Sequence, residues 1–181
     1  GTGLVVSGNG GPRAIAFGGA LTLRPSSGSV GFSASSNTNA GGLRATGSGS
    51  LIETTNAAAL SVTGTTIGGG GLSFVQISAS GGTNGIVLTN TGSLGGLTVS
   101  GSGTAGSGGV VENMTGDGVS LRSTKGVALA WMTIRDNKGS GVYGDDVDGF
   151  SIGDSTVTGS GDTANGSEAG LRFQEMLGAC A

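Results

Sequence analysis

The chain has 181 residues, of which 42 are Gly, 2 are Pro and none is His, with 10% charged and 4% aromatic residues and a net charge of −3. Gly is about threefold over-represented and charge is less than half of normal usage. This composition excludes a helical bundle, because Gly at such density costs each helix several kcal/mol. It excludes collagen too, because the Gly residues keep no three-residue period and Pro is nearly absent. Without His, no Ser–His or Cys–His pair and no imidazole base or ligand exists within the chain.

From the N-terminus, Val5, Ile15/Phe17, Leu21/Leu23, Val30/Phe32 and Leu51 read as short strands. Their period is blurred by Pro12, Pro25 and the polar run 33–40, so residues 1–56 are expected to form less regular coils. From residue 57 to 175 the pattern is clearer. Leu60/Val62, Leu72/Phe74, Leu97/Val99, Val119/Leu121, Val127/Leu129 and Phe150/Ile152 alternate with small or polar residues, the signature of strands with one buried face. Gly, Ser, Thr, Asn and Asp fill the stretches between them, as turns require.

The strands recur. Residues 118–134 align with 141–157, placing Gly126 over Gly149, Val127 over Phe150 and Leu129 over Ile152. Gly71-Leu72-Ser73-Phe74 matches Gly96-Leu97-Thr98-Val99, and Gly85-Ile86-Val87 matches Gly109-Val110-Val111. Several short strands in each period of about 23–25 residues, with no crossover helices, predict a coil stacked on itself. The expected fold is an all-β, right-handed parallel β-helix of about seven coils without major helices, one domain over 1–181.

The phrases at 85–103, 116–137 and 149–162 resemble the right-handed parallel β-helix repeats of large bacterial secreted and cell-surface proteins, the pectin-lyase-like solenoids. The resemblance implies an extracellular or cell-surface location. It is specific for the fold only, because such coils carry lyases, hydrolases, adhesins and passive stalks. The chain begins Gly-Thr-Gly rather than Met and reads as a processed chain or a piece of something larger.

Residues 1–111 hold three Arg against Glu53, whereas residues 112–181 hold five basic residues against ten acids. No basic stripe or aromatic platform suits a nucleic acid, and no apolar run is long enough for a membrane span. The acidic cluster Asp145, Asp146, Asp148 and Asp154 holds the candidate site residues. Asp145, Asp146 and Asp148 are candidates for Ca²⁺, and Asp145 and Asp146 with Arg122 are candidates for acid–base chemistry on a polysaccharide. Polygalacturonase-type hydrolases resemble this in their Gly-Asp-Asp phrase, here Gly144-Asp145-Asp146. Where they carry a further Asp one coil earlier, this chain has Arg122, and their Gly-His-Gly phrase is missing. The lyase branch implies an Arg or Lys base near carboxylates, here Arg122, Lys125 or Arg135. The competing expectation is a row of ion pairs between coils, Arg122 opposite Asp145 and Lys125 opposite Asp148.

Trp131 is expected either to stack on a sugar or to pack on a neighbouring loop. Cys180 reads as incidental. Asn113 and Asn165 fit the glycosylation acceptor pattern. The reading is thus a non-catalytic structural or adhesive module without cofactor. A polysaccharide-acting lyase or hydrolase and a Ca²⁺-stabilised glycan-binding module are left open. The end rungs, without amphipathic caps, point to further coils of a parent protein or end-to-end self-association as partners, with a surface polysaccharide as a third.

Overall fold

The computed structural model describes residues 3–162 and 167–181, and Asn165 lies outside them. Among the described residues there is no helix; the chain is a parallel β-solenoid of about seven turns. The first coil carries β1 (Leu4–Ser7), β2 (Ile15–Phe17) and β3 (Thr22–Leu23). The second has β4 (Phe32–Ser35), β5 (Leu43–Ala45) and β6 (Leu51–Thr55). The third has β7 (Leu60–Thr63), β8 (Ile67–Phe74) and β9 (Gln76–Ser80), and the fourth β10 (Ile86–Thr89), β11 (Leu97–Val99) and β12 (Gly109–Glu112). In the fifth and sixth coils the first two strands fuse into β13 (Val119–Ala130) and β15 (Val142–Gly153), followed by β14 (Met132–Arg135) and β16 (Thr156–Thr158). The seventh coil has β17 (Leu171–Phe173) and β18 (Met176–Cys180).

The strands pair in parallel with their equivalents in neighbouring coils, which makes three faces. The first runs β1-β4-β7-β10-β13-β15-β17, the second runs β2-β5-β8-β11 into the later halves of β13 and β15 and on to β18, and the third runs β3-β6-β9-β12-β14-β16. Seven rungs at about 4.8 Å make a rod roughly 30 Å long.

Alternation puts every second side chain inside. On the first face one inward column is Leu4, Phe32, Leu60, Ile86, Val119, Val142 and Leu171. Val127 lies in register with Phe150 and Leu129 with Ile152, as the alignment predicts, and Val127 is buried. Leu72-Ser73-Phe74 likewise pairs with Leu97-Thr98-Val99. A spine of edge-on rings, Phe17, Phe32 and Phe74, links the first three coils at 6.1 and 6.3 Å.

One expected match fails. Ile86-Val87 pairs with Val119-Ser120 on the first face, whereas Gly109-Val110-Val111 pairs with Met132-Thr133-Ile134 on the third. The same Gly-apolar-apolar phrase serves two faces of one coil, so phrase matching alone confuses them. The step between stacked residues ranges from 23 to 33, wider than the expected 23–25, because the connections take up the difference. The 100–108 loop before β12 accounts for the longest step.

Candidate functional site

The corner between the first and second faces is built the same way in six successive coils. Gly8, Ser36, Gly64, Asn90, Ser123 and Asp146 all have φ between 46° and 65°, a left-handed turn that Gly and short polar residues tolerate best. From the second coil to the sixth, the residue after the left-handed turn is buried, whereas Asn9 in the first coil is exposed. Asn37, Thr65, Thr91 and Thr124 there form a buried polar column, continued by Val147. Asn37 donates from its backbone N–H (3.2 Å) and side-chain amide (3.1 Å) to Thr65 Oγ1, and the Thr91 and Thr124 hydroxyls meet at 2.5 Å. These contacts satisfy groups that would otherwise be costly inside a core.

Outside the corner runs a groove of about 640 Å³ along the rod axis. Thr38, Thr66, Asn90, Ser93, Lys125, Asp146 and Asp148 are among the side chains lining it. The structure therefore separates the acidic cluster. Asp146, exposed at the turn, and Asp148 share the groove, Asp145 lies on the outer side of the first face, and Asp154 sits at another left-handed corner (φ 50°). Among the described residues, no three His, Cys, Asp or Glu side chains converge as a metal-binding group.

The expected ion pairs form. Arg122 reaches Asp145 at 3.6 Å and Lys125 reaches Asp148 at 2.9 Å, each across one rung. The same device occurs on the third face, away from the groove. There Arg135 meets Glu112 at 2.6 Å and Arg24 meets Glu53 at 2.5 Å. Arg24 holds the Glu53 carboxyl below its ordinary range, through a hydrogen bond first and charge second. Arg122 also covers one side of the Tyr143 ring at 4.6 Å, with Arg172 at 5.4 Å, so it is shared between a carboxylate and an aromatic.

A second ladder lies at the corner leading into the first face. The Asp117 N–H donates to Asn84 Oδ1 at 2.8 Å, and the Ser140 N–H donates to Asp117 Oδ1 at 2.9 Å. Burial pushes the Asp117 carboxyl up, against the lowering effects of the Ser140 bond and Arg122. Trp131 occupies a left-handed corner (φ 59°), and its side chain lies against Gly101 and the 100–108 loop, where an added Cβ would collide with it. It is half-buried there, which is the loop-packing alternative. Asn113 is exposed at a corner, and Cys180 is exposed on β18.

Sequence reasoning missed the polar column, the groove residues Asn37, Thr38, Thr66, Asn90 and Ser93, and Asp117. The available signal was the repeated turn-plus-polar step after each first-face strand: Ser36-Asn37, Gly64-Thr65, Asn90-Thr91 and Ser123-Thr124. Comparison with known proteins finds no matching family model, no matching curated protein and no matching solved structure.

Proposed function

We propose that this chain is a rigid, non-catalytic β-helical module, structural or adhesive, of a secreted or cell-surface bacterial protein. One observation carries the reading: Asp145, one of the two carboxylates that would do acid–base chemistry, is used with Asp148 to stitch coils together, while Asp146 stands exposed in the groove. Asp145 and Asp148 face Arg122 and Lys125 one rung below, and Glu112 and Glu53 repeat the arrangement where there is no groove. Such exposed pairs contribute little energy, and their value lies in register as much as in stability.

The test is a panel of acidic and neutral polysaccharides incubated with the chain, with and without Ca²⁺. No new reducing ends and no unsaturated products are expected. Product formation that Asp145→Asn or Arg122→Gln abolishes would replace the structural reading with the enzymatic one.

A second reading, contact with a surface glycan, is favoured by the groove. Its hydroxyls, amides and charged groups recur at the rung spacing of about 4.8 Å, suited to hydrogen bonding along an extended polyhydroxyl chain. Calorimetric titration with neutral and acidic oligosaccharides tests it. Binding weakened by Asn90→Ala is expected, and equal binding by that variant and the parent sinks it.

A further inference from the structure

The groove at the corner between the first and second faces is lined from the second coil to the sixth, about 19 Å at four rung steps, and its chemistry changes along that length. In the second to fourth coils it is uncharged. Thr38, Thr66, Asn90 and Ser93 line it there, and among the described residues none of these side chains has a hydrogen-bond partner within the protein. Their hydroxyls and amide are free for a ligand, unlike the polar groups of the inward column beside them.

Two glycines keep this stretch open. Gly64 takes the turn position between Ser36 and Asn90 of the neighbouring coils, and Gly92 lies against Thr66, where an added Cβ would come within 3.0 Å of that side chain. Leu94 follows Ser93 at the rim. It is 57% exposed, and among the described residues it is the one large apolar side chain so exposed in the second to sixth coils. Hydroxyls beside an apolar rim suit a sugar ring, which presents C–H faces as well as hydroxyls.

In the fifth and sixth coils the groove becomes charged. Lys125 is taken by Asp148 at 2.9 Å. Asp146 is exposed at its left-handed turn and, among the described residues, has no ion-pair or hydrogen-bond partner for its carboxylate. Glu175, also exposed, lies one rung beyond Asp146, since Val147 pairs with Met176 and donates its N–H to the Glu175 carbonyl. One base therefore stands against two acids in the lining, with a third acid next to them. Such a field repels an anionic ligand, and Asp146 is free to meet a cationic one.

We infer that the groove takes a glycan bearing unacetylated amino sugars, with a sugar ammonium at Asp146 and sugar hydroxyls along Thr66, Asn90 and Ser93. This rests on the reading of the groove as a glycan contact and adds the class of sugar: a protonated amine is selected, and a uronate is disfavoured. The ammonium–carboxylate contact is an exposed ion pair, which supports up to about a fivefold gain in affinity.

The experiment is calorimetric titration of the chain, at a mildly acidic pH that keeps the sugar amine protonated, with tetramers of glucosamine, N-acetylglucosamine and galacturonic acid. The glucosamine tetramer should bind about fivefold tighter than the N-acetylated one, and the galacturonate tetramer more weakly than either. The preference should shrink in about 0.5 M salt. Asp146→Asn, which the same corner already accepts as Asn90, should bring the ratio of the first two affinities down toward one. Lys125→Gln frees Asp148 and should raise that ratio. Equal affinities for the glucosamine and N-acetylglucosamine tetramers, or tighter binding of galacturonate, overturn the inference and leave the glycan contact standing. Binding of none of the three removes the glycan contact itself, and the inference with it. A preference that survives in Asp146→Asn overturns the assignment of the amine to that carboxylate. Spermidine binding as tightly as the glucosamine tetramer also overturns the inference, because the groove would then be reading charge without sugar.

Discussion

The Thr91–Thr124 pair allows a sharp energetic test. Both side chains are buried, and each hydroxyl has the other as its partner at 2.5 Å. Thr124→Val changes almost no volume, so it leaves no cavity; its cost is the stranded Thr91 hydroxyl, about 1–3 kcal/mol. Thr91→Val should cost the same for the same reason. The double variant strands nothing, and the next position of the column is already Val147, so it should fall within about 1 kcal/mol of the parent. The coupling is therefore large relative to either single loss. Urea denaturation of the four proteins, with equal m-values as a check on a common unfolding transition, measures it. Strictly additive losses, with the double variant the least stable, would show that the two hydroxyls do not depend on each other.

Val127→Asp places a charge in the inward column beneath Phe150 and should cost about 3–5 kcal/mol, seen as a lower melting temperature; a melt matching the parent would contradict the register. Burial raises the folded pKa of Asp117, so its protonated form favours the folded state and stability is lost as pH rises through that pKa. Asp117→Asn keeps an oxygen to accept from the Ser140 N–H, so it should melt above the parent at pH 7 and together with it at pH 3; a pH-independent difference would refute the assignment. Chelator and millimolar Ca²⁺ should leave the melting temperature unchanged, because Asp148 already faces Lys125; a reversible shift of several degrees would make the groove a cation site.

Much of this architecture was legible because burial imposes a period of two on any strand with one inner face. The Val127/Phe150 and Leu129/Ile152 columns, and the Arg122–Asp145 and Lys125–Asp148 pairs, follow directly from one alignment at 23 residues. Coils of unequal length were harder. The 100–108 loop pushes Val119 33 residues beyond Ile86, and the short phrase at Gly109 offered a false partner at a more regular distance. The polar column was hidden for another reason: Asn37, Thr65, Thr91 and Thr124 read as turn residues, and only the left-handed turn before each one swings it inward. Asp117 gave no sign either, since its burial depends on coils 23 and 33 residues away.

Stacking has a mechanical consequence. The inter-strand hydrogen bonds run along the rod axis, so a force pulling the two ends apart loads one rung at a time and not all rungs together. The chain should yield at low force, peeling coil after coil from an end, in contrast to a sandwich whose terminal strands must shear as a block. Each released coil of 23–33 residues would lengthen the tether by roughly 80–115 Å, taking about 3.5 Å per extended residue. The unequal spacing of those steps would report the order in which the coils let go.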